Sequence, residues 1–287
     1  MCFALARPSA KINVRGWCEA NDFLDQPVFQ MGDTKAIFWD VHGTLVASHR
    51  GNLDTLIQRE PELRLAFERT VKNFGLNAVS ARLHDFFLRG IEAERAARVA
   101  DGVAHPEVRI DEIWFKLLEK FRPEEPPTIG FAREVALFFE RAANPKQLQP
   151  HAFEVLTALQ QRGLRHGIIS NAQFYTPIEL SYLLRDESDG AICNYESIFD
   201  PLLVFLSFEI GVAKPDPLLF HHAVEALTRE NVLPDDCVFV GNSLVDDIAP
   251  AQHAGFKTVL FAPEAVPESP IKPDLMIHNL AQLLEWL

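Results

Sequence analysis

Asp40, His42, Thr44, Ser170, Asn171, Lys214, Asn242, Asp246 and Asp247 are the residues of this chain whose types and positions allow chemistry between them. Each follows a short apolar run. Asp40-Val41-His42-Gly43-Thr44 comes after AIFW, Ser170-Asn171 after GII, Lys214 just past LLVFLS, and the stretch from Asn242 to Asp247 after VFVG. A carboxylate at the end of a buried-looking run is a costly arrangement for a segment with only a structural task. Such a carboxylate suits a nucleophile that splits a hard displacement into two easier steps through a covalent aspartyl intermediate. When the attacked centre is phosphorus, a hydroxyl, a lysine and a divalent cation stabilise the charge on the phosphoryl oxygens. Magnesium takes oxygen ligands and needs only one or two carboxylates, which Asp40 with the Asp246/Asp247 pair can supply. Lys214 would hold Asp40 ionised by its nearby positive charge.

The elements that must position these residues are readable from periodicity. KAIFWDV is a continuous apolar run suited to a buried parallel strand. From about residue 50 to 149 helix formers dominate, as in LRLAFERTVKNF, ARLHDFFLRGIEAERAARVA, IDEIWFKLLEKF and FAREVALFFERAA, with apolar residues recurring at three- and four-residue spacing. After Pro150 the pattern alternates: helical AFEVLTALQQRG, strand LRHGIIS, helical PIELSYLLRD, strand LLVFLS, helical DPLLFHHAVEALTRE, strand CVFVGNS, helical DIAPAQHAG, strand KTVLFA, then DLMIH and NLAQLLEWL. Strands separated by helices of this length predict an α/β fold, a parallel sheet with helices on both faces. In such a sheet, polar residues at the carboxyl ends of the strands converge on one crevice.

Composition narrows the partners. The chain has 287 residues, 48% hydrophobic and 23% charged, enough for a full core and a second module. A formal net charge of −13 argues against a nucleic-acid or anionic-membrane surface, both of which need basic patches. No run is long enough to span a membrane, and the N-terminus lacks an apolar signal region, so a cytoplasmic location is expected. Cys2, Cys18, Cys193 and Cys237 lack CxxC spacing and are expected as free thiols. His84, His151, His221, His222 and His253 show no ligand spacing on a shared face. The aromatic residues of the helical stretch, among them Phe87, Trp114 and Phe139, recur at helical spacing and are expected in its core.

The order DxxGT, a strand ending in serine, Lys-Pro, then GxSxxxD with AxxAG resembles the haloacid dehalogenase superfamily from residue 35 to the end. The resemblance implies a Rossmann-like core, an aspartate nucleophile and a magnesium-dependent phosphatase of small phosphorylated metabolites. It divides the chain into an N-terminal extension (1–34), a core (35–48 and 150–287) and a helical cap (49–149) inserted after the first motif. Position by position, it makes Asp40 the nucleophile and Thr44 the support of its loop. Ser170 becomes the phosphate-binding hydroxyl with Asn171 beside it, and Lys214 steadies nucleophile and phosphate. The metal would be held by Asp40, the backbone carbonyl of His42, and the 242–247 turn.

Two positions depart from the family pattern. Where family phosphatases have an aspartate that protonates the leaving group and activates water, this chain has His42, an imidazole competent for the same acid/base work. Where they have a metal-binding aspartate it has Asn242, a neutral ligand. Together these remove about two negative charges, so weaker metal binding is expected, with Asp246 a candidate to make up the loss. Two other readings stay open: attack of Asp40 on carbon, as in dehalogenation, and a catalytically silent member that binds a phosphorylated ligand or a protein partner.

Overall fold

Ala36, Ile37, Phe38 and Trp39 are all buried because both faces of the strand they form are covered. This strand, β1 (Ala36–Trp39), is central to a six-stranded sheet in a computed structural model that describes residues 34–48, 60–122, 124–264, 266 and 268–287. The other strands are β4 (Arg165–Ser170), β5 (Phe199–Leu206), β6 (Cys237–Gly241), β7 (Lys257–Phe261) and β8 (Leu275–Ile277). Their order is β5-β4-β1-β6-β7-β8 and every pairing is parallel. This is a Rossmann-like α/β sheet, as the alternating pattern predicts. Apart from Thr34, the expected N-terminal extension lies outside the described residues, and so do Cys2 and Cys18.

The pleat sorts β1 between two layers. Ile37 and Trp39 join Val240, Val155 and Leu180 on one face, under α5 (Ala152–Gln161) and α6 (Thr176–Glu187). Ala36 and Phe38 join Phe239, Phe220 and Leu227 on the other, under α8 (Leu218–Arg229). Register then does the positioning. Trp39 stands opposite Ile168 of β4 and Val240 of β6, so the residues following these three strands emerge at one edge.

Between residues 60 and 143 the chain forms four helices, α1 (Glu60–Phe74), α2 (Ser80–Ala100), α3 (Ile110–Phe121) and α4 (Ile129–Ala143). They have their own core, with Phe67 and Phe139 ring centroids 4.5 Å apart and Trp114 5.1 Å from Phe139. Tyr175, from the loop after β4, inserts into this cluster. A second tie joins the α2–α3 loop to the core. Glu107 N–H donates to Gly211 O at 3.1 Å, and Ala213 N–H donates to His105 O at 2.8 Å. Gln173 donates to Glu107 Oε1 and Val108 O, both at 2.8 Å.

One pairing is absent from the sequence reading. Val46–Ser48 (β2) and Lys146–Leu148 (β3) form a two-stranded antiparallel ribbon at the base of the helical block. Strands of three residues are too short to show a period of two.

Candidate active site

The ends of β1, β4 and β6 and the segment that follows β5 meet at Asp40. Asp40 follows β1 directly, its N–H held by Val240 O of β6 at 2.9 Å, which fixes where the carboxylate leaves the sheet. Ser170, the last residue of β4, donates to Asp40 Oδ1 at 3.0 Å and accepts from Val41 N–H at 3.3 Å. Lys214 comes from the segment after β5 and the short helix α7 (Ser207–Ile210), and its Nζ donates to Asp40 Oδ1 at 2.9 Å and Ile169 O at 3.0 Å. Thr44 donates to Asp40 Oδ2 at 3.1 Å and approaches Asn242 Oδ1 at 3.4 Å. Asp40, Thr44, Ser170, Lys214 and Asp247 are all buried.

Asp247 faces the same lysine. Its Oδ1 contacts Lys214 Nζ, and its Oδ2 accepts from the backbone N–H groups of Asn242 and Ser243 at 3.0 and 2.9 Å. Burial works against the Lys214 ammonium, but Asp247 and Asp40 overcome it and push its pKa up to about 12. Burial raises the carboxyl of Asp247 against the pull of that lysine. The turn bringing Asp247 back is a π-helical stretch, Leu244–Ile248, leading into α9 (Ala249–His253). Two glycines make the approach possible. A Cβ on Gly241 would stand 2.5 Å from Asp247 Cβ, and Gly43, at φ +90°, would place one 2.4 Å from Asn242 Nδ2.

His42 points to a different partner. Its Nε2 lies 3.1 Å from Thr176 Oγ1 at the start of α6, and its Nδ1 is buried without a partner among the described residues. Burial, reinforced by Lys146, lowers the imidazole pKa to about 4 against the opposing pull of Asp40 and Glu140, so the ring is neutral at pH 7. Asn171, expected beside the phosphate, has both ends of its carboxamide on the Lys214 backbone: Lys214 N–H donates to Oδ1 at 2.6 Å and Nδ2 donates to Lys214 O at 3.1 Å. It positions the lysine. Asp246 accepts from Ser243 Oγ and from no other side chain among the described residues.

Thr176 and a buried ion triad behind His42 have no counterpart in the sequence reading. Lys146 Nζ of β3 donates to Glu140 Oε1 of α4 at 2.5 Å and to Glu179 Oε2 of α6 at 2.6 Å. Glu140 also accepts from Asn144 Nδ2 at 3.0 Å and Tyr175 OH at 3.3 Å. The only signal for Thr176 is the Thr-Pro pair opening a helix, which marks a boundary and not a contact.

Magnesium, the cofactor implied by the motif order, can be tested against these donors. Asp40 Oδ2 and Asn242 Oδ1 both lie within hydrogen-bond range of Thr44 Oγ1, so oxygen ligands from two strand ends converge there. Asp247 is committed to Lys214 and two amides. Among the described residues no three acidic, His or Cys side chains cluster as ligands. The donors fit magnesium in kind, with a single carboxylate to hold it.

Comparison with known proteins follows this geometry. The model of the haloacid dehalogenase-like hydrolases matches residues 34–255, more than half of the chain. A phosphoserine phosphatase of Thermus thermophilus is 31% identical over 154 residues, 53% of this chain and 56% of that one. A glyceraldehyde 3-phosphate phosphatase of Pyrococcus furiosus is 34% identical over 143 residues, 48% of this chain and 53% of that one. The chain thus spans about half the length of these curated relatives. The crystal structure of a 2-haloacid dehalogenase from Pseudomonas syringae superposes with a TM-score of 0.56 at 23% identity, over 88% of this chain and 97% of that one, which is a likeness of fold.

Proposed function

The chain belongs to the haloacid dehalogenase-like hydrolases, and from that premise we propose that it hydrolyses the phosphate monoester of a small soluble metabolite. One observation carries the reading: a buried carboxylate ringed by Ser170, Thr44 and Lys214 at 2.9–3.1 Å, donors that suit both a nucleophile and the oxyanion it attacks. Relatives named as phosphatases support the choice of phosphorus as the centre.

In this reading an Asp40 carboxylate oxygen attacks phosphorus, the ester P–O bond breaks, and the alcohol departs with a proton. Water then attacks the aspartyl phosphate, releasing inorganic phosphate and restoring Asp40. Ser170 and Lys214 hold the non-bridging oxygens, and Asn171 keeps the Lys214 loop in place. His42 moves the proton in both steps. Its ring is neutral before substrate arrives, the form that accepts a proton from water, and a phosphate dianion beside it raises its affinity for the proton it gives the alcohol. A magnesium ion bound by Asp40 Oδ2, Asn242 Oδ1 and the His42 carbonyl would neutralise phosphoryl charge. The helical block serves as the cap that covers the site and shields it from water. No helix among the described residues is long and apolar enough to cross a membrane.

Phosphate release from a panel of phosphomonoesters, with and without magnesium, tests the proposal. The wild type should turn over at least one ester, and Asp40→Asn should turn over none. No release above the Asp40→Asn background on any ester, from folded protein with magnesium, rejects hydrolysis of phosphate esters. Halide release from 2-haloacids would then mark attack on carbon.

A further inference from the structure

The helical block carries a second concavity, away from the sheet edge. Helix α3 begins at Ile110, whose N–H reaches Gln173 of the core. At about 1.5 Å per residue, its positions 113–120 lie roughly 5 to 15 Å further along the helix, and none of the residues gathered at Asp40 lines the concavity beside them. Helix α2 runs the other way, toward the 105–108 segment bonded to the core. Between them lies a cavity of about 290 Å³.

Its wall is apolar, made of Phe86, Ile113 and Leu117. Gly90 leaves the gap between the helices, since a Cβ there would stand 3.3 Å from Ile113 Cγ2. Its rim is cationic: Arg89, Lys116 and Lys120 line it. Lys120 Nζ sits 3.8 Å and Arg82 Cζ 5.8 Å from the centroid of the half-buried Phe86 ring. Lys116 has Glu94 at 3.3 Å, but Arg89 and Lys120 have no carboxylate partner among the described residues.

Packing accounts for the apolar wall and leaves the sign of the rim unexplained. Two cations stand over the Phe86 ring and two more line the rim, one of them paired with Glu94, in a chain whose formal net charge is −13. An apolar cleft with a few convergent charges is the form of a small-ligand site, and here the charges are all positive. We propose that this cleft binds a small amphipathic carboxylate, with an aryl or short acyl chain against Phe86, Ile113 and Leu117 and the carboxylate between Arg89 and Lys120. The proposal does not depend on the chemistry at Asp40.

Titration of the intact chain with 4-phenylbutyrate and with the uncharged 4-phenylbutanol, read by calorimetry and ligand-observed NMR, tests it. The acid is expected to bind with a Kd of about 0.1–1 mM, ordinary for a ligand of this size, and the alcohol at least about tenfold more weakly. The double variant R89E/K120E changes two exposed side chains. It should weaken the acid about tenfold or more while the melting temperature stays put. Asp40→Asn should leave binding of the acid as it is. The proposal is overturned by equal binding of acid and alcohol, by binding indifferent to the double charge reversal, by loss of binding in Asp40→Asn, or by no saturable binding up to about 10 mM.

Discussion

Two lysines of this protein lie buried between two carboxylates each, with side chains 2% and 4% exposed. Lys214 touches Asp40 and Asp247, and Lys146 touches Glu140 and Glu179. The composition is the same and the settings differ. Around Lys214, the ends of β1, β4 and β6 fix the backbone, and the hydroxyls of Ser170 and Thr44 are aimed at one carboxylate, Asp40. Around Lys146, the carboxylates come from α4 of the helical block and α6 of the core, and the lysine from the ribbon between them. Both oxygens of Glu140 are filled, by Lys146 and Asn144 on one side and Tyr175 on the other. The first triad presents the carboxylate that the proposed reaction uses as its nucleophile; the second ties two layers together. Asp40 and Glu140 each take three donors, two of them on one oxygen, so position makes the difference: Asp40 lies where parallel strands end at one crevice, and Glu140 lies inside a helix junction.

The sharpest way to break this comparison is to remove each lysine. Lys214→Met should lower turnover by about 10²–10⁴, the range for losing a charged group at the reacting centre. Lys146→Met leaves two carboxylates facing each other without a cation. It should cost about 3–5 kcal/mol of unfolding free energy while turnover per folded molecule stays within about tenfold. Urea unfolding and phosphate release on both variants decide it. Equal loss of turnover from the two would mean that the junction triad takes part in the chemistry.

How far each triad was legible in the sequence follows from the same contrast. Asp40, Ser170, Lys214 and Asp247 each follow an apolar run within an alternating strand–helix pattern, and a parallel sheet leaves such residues one edge to share. Strand order, too, was implied only as a class. Lys146, Glu140 and Glu179 carry no such mark. On a sequence, Glu140 and Glu179 look like the solvated acids of amphipathic helices, and only their meeting at Lys146 of β3 shows them buried. Asn171 shows the limit from the other direction. Its place beside Ser170 suggested a contact with substrate, but no spacing rule reveals which way a carboxamide turns, and it turns to the Lys214 backbone. Thr176, the partner of His42, was hidden for the same reason.

The junction triad also has a pH signature, set by Glu179. Burial raises the carboxyl of Glu179 from 4.5 to about 7; Lys146 pulls it down by less, and Glu140 adds to the rise. A group whose folded pKa is raised contributes stability that is complete below its unfolded pKa and is lost as pH rises through the folded value. Between about pH 5 and pH 8 the wild type should therefore lose about 1–3 kcal/mol of stability relative to Glu179→Gln, which has no charge to bury. Chemical unfolding of both proteins across this window measures the difference, and a constant offset would show that Glu179 stays ionised throughout.

The smallest effect is expected from restoring a charge at the sheet edge. Asn242 Oδ1 and Asp40 Oδ2 lie either side of Thr44 Oγ1, at 3.4 and 3.1 Å, and Asp247 is withheld by Lys214 and two backbone amides. A divalent ion there would meet one carboxylate. Asn242→Asp adds a second at nearly the same position and volume, so affinity for the ion should rise about tenfold, equivalent to about 1.4 kcal/mol. Without the ion, the added carboxylate faces Asp40 with only Lys214 to offset it, so the variant should be somewhat less stable than the wild type until the ion is supplied. Loss of the free Mn²⁺ signal in a spin-resonance titration, together with melting temperatures at increasing magnesium, reads both effects without any turnover assay. The junction triad gives the control, since Glu179→Gln should leave the titration unchanged. An unchanged titration for Asn242→Asp would place the ion out of reach of residue 242, and the picture of the sheet edge as a metal site short of one charge would have to be given up.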